Sequence, residues 1–382
     1  MRMNFDMGRG LLRNIMSRLE PFKAFQSEVF LGNVFEEGVA TGLDIGTYAV
    51  KVVRLRRSVK DLSLETRVYR EILRSPDPKG SIPEETLTAQ CLADIWQQEK
   101  IKDKKVRVVV SDPGIYIRHI HIPRLAPNEL AKAARWQAEK YIPFSIEDAS
   151  VDYQIIDERS PQDPGQMEVA IVAVEKKTID KYLRVLKAAR LTPTVIDIPP
   201  FAVAKAVLQD LSPKETSGVA VIDIGHRTTS VTILKRNSLR LARSFEIGGH
   251  HMTQSIVEGM GLDRAEAESM KRELGVEPFA AGQTVPDKYA AAIHPVLSEL
   301  VKQIERGLAY SEREEMTEGI AKVLLCGGGA LTRGLDAYLA NHLKLSVSGM
   351  EGAARILSLA GTGGRPSPEP AALLVSALGA AL

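Results

Sequence analysis

The feature that most limits the folds open to this chain is a strand-turn-strand pattern that occurs twice. Gly42-Leu43-Asp44-Ile45-Gly46-Thr47 is an apolar run ending in glycine, and after a short loop Val50-Lys51-Val52-Val53-Arg54-Leu55 follows it. Val219-Ala220-Val221-Ile222-Asp223-Ile224-Gly225, a polar loop, and Ser230-Val231-Thr232-Ile233-Leu234 restate the same pattern. β-Branched residues and leucine bounded by glycine are what strands joined by tight turns require. The recurrence falls at a domain-sized interval, which points to a duplicated domain rather than a solenoid of short repeats. With 382 residues the chain is also too long for one ordinary core.

The repeated unit carries chemistry. Glycine lets backbone approach a phosphate closely, and Thr47 offers a hydroxyl and an N–H. The Asp44 carboxylate suits a hard Mg²⁺ ion held through water. A single Asp-x-Gly-Thr is a common turn composition. A second copy in the same context, Asp223, Gly225 and Thr229, makes two facing hairpins a clamp for the β- and γ-phosphates and the metal. Leu324-Leu325-Cys326-Gly327-Gly328-Gly329-Ala330-Leu331 places a glycine cluster between a strand and a helix, with room for a flat ring or a phosphate. It is neither a P-loop nor a dinucleotide fingerprint. Ala267-Glu268-Ser269-Met270-Lys271, with Gly275 beyond, sets Glu268 and Lys271 one helical turn apart. Taken alone, that pair reads as a surface ion pair.

Between the repeats, a helix is predicted around Glu84 to Glu99 and a strand over Val106 to Val110. A strand-helix-strand-strand block follows: Ile115 to Ile122, a helix capped by Asn128, Val151 to Ile156, and Val169 to Val174. Pro161 to Gly165 reads as a hairpin connection, and Thr178 as the cap of a closing helix. In the second half, Met252 to Gly275 and Asp287 to Glu312 read as helical. The stripe Ile293, Leu297, Leu300, Ile304 and Leu308 reads as core. Ser367-Pro368-Glu369 carries the signature of a helix start, leading into a final apolar helix. Residues 1–40 read as an extension whose leucines recur at helical spacing between arginines, docked on the body or partly ordered rather than membrane-seeking.

Composition excludes several classes. A net charge of +2 gives no footprint for nucleic acid. Two isolated cysteines, Cys91 and Cys326, argue for a reducing compartment and against a disulfide framework or a zinc site. The most apolar run, Ala371 to Leu382, is about half of what spanning a bilayer needs. Arg9, Arg13 and Arg18 break any secretory apolar region, so a cytoplasmic location is expected. His119 with His121, and His250 with His251, lack a convergent carboxylate or cysteine and read as packing or surface residues.

In order, Asp-x-Gly-Thr, Asp-x-Gly-x-x-x-Thr, Ala-Glu-x-x-Lys and Gly-Gly-Gly resemble the actin-like ATPase superfamily over about residues 40–382. The resemblance implies an α/β, actin-like ATPase fold: two duplicated halves with an inserted strand-helix-strand-strand subdomain. It divides the chain into a first half, 41–114 completed by 189–217, and an inserted subdomain, 115–188. The second half is 218–251 with 320–382, interrupted by a helical-rich subdomain, 252–319. By the same resemblance Asp44, Gly46, Thr47, Asp223, Gly225 and Thr229 hold phosphate, and Asp44 and Asp223 hold Mg²⁺ through water. Lys51 is a lesser candidate. Glu268, Lys271, Gly327, Gly328 and Gly329 then hold ribose and adenine, and Gly248-Gly249 matches a glycine pair near the nucleotide.

The inserted block narrows the family. Arg118-His119-Ile120-His121-Ile122-Pro123, Arg135-Trp136-Gln137-Ala138-Glu139-Lys140-Tyr141-Ile142-Pro143-Phe144 and Asp152-Tyr153-Gln154 look like the PilM proteins of type IV pilus assembly, as does Asp197-Ile198-Pro199-Pro200-Phe201-Ala202. That resemblance implies ATP binding with Mg²⁺ and a seat at the cytoplasmic face of the inner membrane. It also implies capture of the N-terminal tail of PilN in a groove between the block and the first half. Arg118, Trp136, Tyr141 and Phe144 are the candidate contacts. Other pilus platform proteins and assembly ATPases are further expected partners, and self-association is left open. The alternative is a filament-forming division protein like FtsA, which shares the block but usually ends in an amphipathic membrane helix. Ala377 to Leu382 has no polar face. A small-molecule kinase needs a catalytic carboxylate beside a substrate pocket, and none of the repeated motifs supplies one. The linking segment Ile198-Pro199-Pro200 offers no side chain to position water, with only Asp197 nearby. Slow hydrolysis or plain nucleotide sensing is expected rather than rapid turnover.

Overall fold

A computed structural model describes residues 38–58, 62–72, 85–112, 114–158, 163–208, 217–235, 238–276, 287–313, 319–350, 353–354, 357 and 370–382. The N-terminal extension and the Ser367-Pro368-Glu369 helix start lie outside these residues.

Strands β1 (Gly38–Ile45), β2 (Ala49–Arg57) and β3 (Leu62–Glu71) form an antiparallel meander. Helix α1 (Glu85–Gln98) then returns the chain to β4 (Lys105–Val110), which runs parallel to β1. Val108, Val109 and Val110 are all buried, as expected of a strand covered on both faces. After the inserted block, β8 (Thr192–Asp197) adds in parallel to β4 and gives the order β3-β2-β1-β4-β8. The second half repeats this order element for element. Its strands are β9 (Gly218–Ile224), β10 (Thr229–Lys235), β11 (Ser238–Phe245), β12 (Ile320–Cys326) and β13 (Ser346–Gly349), arranged β11-β10-β9-β12-β13. The two sheets thus share one topology, as a duplicated domain requires.

The inserted block is a sheet of β5 (Ile115–Pro123), β6 (Ala149–Asp157) and β7 (Gln166–Glu175) in the order β5-β7-β6, with α2 (Pro127–Ala138) on one face. Alternation sorts its residues. Leu130, Ala134 and Ala138 of the helix pack with Ile122, Val151, Val169 and Ile171 on the outer face. Ile115, Ile117, Ala170 and Val172 on the inner face join the core of the first half. Two helix starts differ from the sequence reading. Helix α2 begins at Pro127 rather than at an Asn128 cap, because proline pre-sets the first helical position and Glu129 accepts from the Ala126 N–H at 3.3 Å. The closing helix α3 (Lys176–Ala188) begins before Thr178, which is buried in its first turn.

Helix α4 (Pro199–Leu208) links the halves. The second half adds α5 (Gly249–Met260), α6 (Arg264–Leu274), α7 (Asp287–Arg313) and α8 (Leu335–Leu343). The apolar stripe of α7 is core, as predicted: Ile293, Leu297, Leu300 and Ile304 have no exposure.

The last helix, α9 (Val375–Ala381), departs from the sequence division. It follows the second half in the chain but packs into the first-half core through Val375, Ala377, Leu378 and Ala381. Arg57 and Arg107 donate to the carbonyls of Leu382 and Ala381 at 3.4 Å each. Small residues permit the approach: a Cβ on Gly379 would lie 1.7 Å from the Ala202 carbonyl oxygen, and one on Gly42 would lie 2.0 Å from that of Ala377. All seven residues of this helix are buried. Each buried valine or leucine contributes about 1.5–3 kcal/mol.

Candidate functional site

The two hairpins close in the same way. The Gly46 N–H donates to the Ala49 carbonyl at 3.1 Å, and the Gly225 N–H donates to that of Thr228 at 2.9 Å. Register sets Asp44 opposite Lys51 and Asp223 opposite Ser230. The Lys51 Nζ donates to Asp44 Oδ2 at 3.0 Å, and the Ser111 hydroxyl lies 3.4 Å from Oδ1. Among the described residues no cation pairs with Asp223. Burial, and then repulsion from Asp44, push its carboxyl up to about 6. The Ser376 hydroxyl on α9 reaches its Oδ2 at 3.4 Å.

Glycines shape the rest. Gly327 has φ +86°, a left-handed conformation, and a Cβ there would lie 2.3 Å from Asp223 Oδ1. Gly248 packs against the second hairpin, where a Cβ would lie 2.7 Å from the Gly225 carbonyl oxygen. The N–H groups of Gly249 and His250 then donate to the carbonyls of Gly225 and His226 at 3.0 and 2.7 Å.

Glu268 and Lys271 form more than a surface ion pair. The Lys271 Nζ is buried and donates to Glu268 Oε2 (2.7 Å), the Thr253 hydroxyl (2.9 Å) and the Gly249 carbonyl (3.1 Å). The pair therefore ties α6 to the start of α5. Burial raises the Glu268 carboxyl, but Lys271, Thr253 and Arg272 outweigh it and hold the group below its ordinary range.

These elements enclose a cleft of about 440 Å³ between the halves. Asp44, Gly46, Thr47, Lys51, Asp223, Gly225, Gly249, Glu268, Lys271 and Gly327 to Gly329 line it, so most residues singled out from the sequence converge there. Two do not. Thr229 is fully buried and its hydroxyl donates to the Ile247 carbonyl at 2.7 Å, while Thr228 and Ser230 take the cleft positions. Side chains on a strand alternate, so threonines in consecutive positions cannot both face the ligand. Gly248 acts from behind, as the seat of the second hairpin.

The sequence reading missed Tyr48, Ser111, Asp112, Ser230, Ser244 and Arg272, all of which line the cleft. Ser230 was discoverable as the residue paired with Asp223, and Ser111 and Asp112 as the residues ending a parallel strand. Arg272 crosses the cleft mouth from α6 to the Tyr48 hydroxyl at 3.2 Å, a contact with no local signal. Asp197 turns away: its Oδ2 pairs with Lys205 Nζ at 2.6 Å and its Oδ1 accepts from the Ile198 N–H at 2.8 Å.

The lining fits a nucleotide with its metal. Glycine backbones, hydroxyls and the ammoniums of Lys51 and Lys271 suit phosphate and ribose, and the two strand-end carboxylates suit a hydrated Mg²⁺. The Ser230 hydroxyl is buried at the cleft without a hydrogen-bond partner among the described residues, which is what a group awaiting a polar ligand looks like.

The partner candidates lie on the outer, helix-covered face of the inserted sheet rather than against the first half. Trp136 is 59% exposed with Lys140 Nζ 3.6 Å from its ring centroid, and Tyr141 is 43% exposed beside Arg118. Phe144 packs edge-on against Tyr116, 5.6 Å between ring centroids, and belongs to the outer-face core. Alternation along β5 explains the placement: Ile115 and Ile117 face the first half, so Tyr116 and Arg118 face away.

Two five-stranded sheets of one topology, joined over a cleft by paired Asp-x-Gly hairpins and a glycine cluster, define an actin-like ATPase fold. The solved EutJ protein from Carboxydothermus hydrogenoformans has the same fold (TM-score 0.50, 13% identity, 91% of each chain). The family described as "Type IV pilus assembly protein PilM" matches residues 42–361, and this chain belongs to it. A solved PilM-PilN type IV pilus biogenesis complex superposes with a TM-score of 0.75 at 26% identity, over 90% of this chain and 97% of that one. FtsA of Helicobacter pylori is 26% identical over 195 residues, 46% of this chain and 39% of that protein. EutJ of Salmonella typhimurium is 28% identical over 155 residues, 41% of this chain and 47% of that protein. The chain thus aligns with less than half the length of these curated relatives.

Proposed function

We propose that this PilM-family protein binds ATP with Mg²⁺ in the cleft and holds the N-terminal cytoplasmic tail of PilN at its inserted subdomain. In this reading nucleotide state is relayed to the pilus platform, and partners keep the chain at the cytoplasmic face of the inner membrane. Among the described residues no helix is long and apolar enough to cross a membrane, so attachment through a partner fits them. The observation that carries the proposal is the likeness over nine-tenths of the chain to a PilM-PilN complex. Asp44, Thr47, Lys51, Asp223 and Gly225 would hold the phosphates and the hydrated metal. Glu268, Lys271 and Gly327 to Gly329 would hold ribose and base. The bound metal would neutralise phosphate charge.

Calorimetric titration with a synthetic PilN N-terminal peptide, with and without Mg-ATP, tests the proposal. Saturable binding that Trp136→Ala with Tyr141→Ala weakens at least about tenfold is expected if the exposed aromatics are anchors. Equal affinity with and without Mg-ATP would mean that the two sites are uncoupled; a difference between the titrations measures their coupling. No peptide binding, with polymerisation on ATP addition, would favour the FtsA-like filament reading.

A further inference from the structure

Among the described residues five carboxylates line the cleft: Asp44, Glu71, Asp112, Asp223 and Glu268. Four are committed. Asp44 pairs with Lys51. Asp223 packs against Gly327, where a Cβ would lie 2.3 Å from its Oδ1, and the Ser376 hydroxyl reaches its Oδ2 at 3.4 Å. Glu268 accepts from Thr253, Lys271 and Arg272. Glu71, half exposed at the mouth, faces Arg272 at 3.8 Å.

Asp112 differs. Its Oδ1 accepts the Gly114 N–H at 2.9 Å, a turn contact, and among the described residues no other group donates to the carboxylate. Its position follows from strand register. Ile45 pairs with Val110 in the parallel β1–β4 ladder, so Ser111 and Asp112 emerge beside Gly46 and Thr47. That is the carboxyl end of parallel strands, where open α/β sheets bind their ligands. Two contacts fix the segment there: Ser111 reaches Asp44, and the buried Tyr182 hydroxyl on α3 donates to the Ser111 carbonyl at 3.2 Å. The segment linking the halves cannot supply an acid, since Pro199 and Pro200 line the cleft and Asp197 is bound to Lys205.

We propose that Asp112 is the catalytic carboxylate that orients water for hydrolysis of a nucleoside triphosphate, an inference that rests on the nucleotide reading above. The water oxygen bonds to the γ-phosphorus, and the bond from that phosphorus to the β–γ bridging oxygen breaks. The diphosphate leaves with the electron pair, and Asp112 accepts the water proton before passing it to the phosphate product. The acid joins β4 to the inserted block, whose β5 begins at Ile115. A partner that moves the block therefore moves this carboxylate.

Asp112→Asn tests the inference in the full chain, because the amide oxygen retains the turn contact with Gly114. Affinity for a fluorescent ADP analogue is measured with and without aluminium fluoride, alongside single-turnover phosphate release from ATP. The expected variant binds ADP as the wild type does, fails to form the tightly held fluoroaluminate complex, and releases phosphate at least about 100-fold more slowly. A variant that traps ADP and hydrolyses ATP like the wild type overturns the assignment. So does a wild-type chain that binds ATP and ADP but neither hydrolyses nor traps. A wild-type chain that binds no nucleotide overturns the nucleotide reading itself, and this inference with it.

Discussion

Asp223 is the residue at which burial and function conflict most directly. Its folded pKa, about 6, lies above the usual carboxyl value because the charged form is desolvated and repelled by Asp44. A raised acid contributes stability that is fully present below the unfolded pKa, near 4, and is lost as pH rises through about 6. Asp223→Asn removes that penalty. Without Mg²⁺ or nucleotide the variant should be more stable than wild type at pH 7.5, by up to about 3 kcal/mol, with the advantage fading below pH 5. Thermal unfolding at both pH values checks this, and a variant less stable at pH 7.5 refutes it. Lys271 is a different case: Lys271→Met takes the buried ammonium from the partly exposed Glu268, which keeps Arg272 and Thr253, and should cost about 1–3 kcal/mol in urea unfolding. Asp44 and Asp223 were legible from sequence because each ends an apolar strand before glycine. Thr229 was not, since the motif gives spacing whereas the strand's phase gives direction.

Among the elements, the two meanders and the inserted block could be read from local pattern, because alternation and glycine punctuation act within a few residues. The destination of α9 could not. Its apolar sequence announces burial without saying against what, and its partners Gly42 and Ala202 lie far earlier in the chain. Gly379→Val places a branched side chain where a Cβ already meets the Ala202 carbonyl at 1.7 Å. A loss of at least about 3 kcal/mol, or of the cooperative transition altogether, is expected in urea unfolding. Gly349→Ala, where a Cβ meets nothing within 4 Å, should leave the transition within about 0.5 kcal/mol of wild type. Equal behaviour of the two variants would show that α9 contributes little to the first-half core.

At the scale of the whole molecule, the inserted sheet touches both halves. Its inner face is first-half core, and its β5 lies beside β11 of the second sheet. There the His119 Nε2 accepts the Ala242 N–H at 3.0 Å, and Arg240 pairs with Asp157 at 3.6 Å. The other ring nitrogen, Nδ1, faces Glu168 Oε1 at 3.5 Å. His119→Ala orphans that N–H and should cost about 1–3 kcal/mol. It should also shrink the difference in PilN-peptide affinity between nucleotide-free and Mg-ATP states, read by calorimetry. An unchanged difference would mean that coupling takes another route. The duplicated halves, the hairpins and the inserted block are legible in the sequence, because each rests on short-range periodicity and on glycine's freedom at a turn. Folding alone brings Arg272 across the cleft mouth to Tyr48, buries Lys271 against the start of α5, and seats α9 in the first half. Those outcomes depend on register and packing between segments far apart in the chain, and no local pattern encodes them.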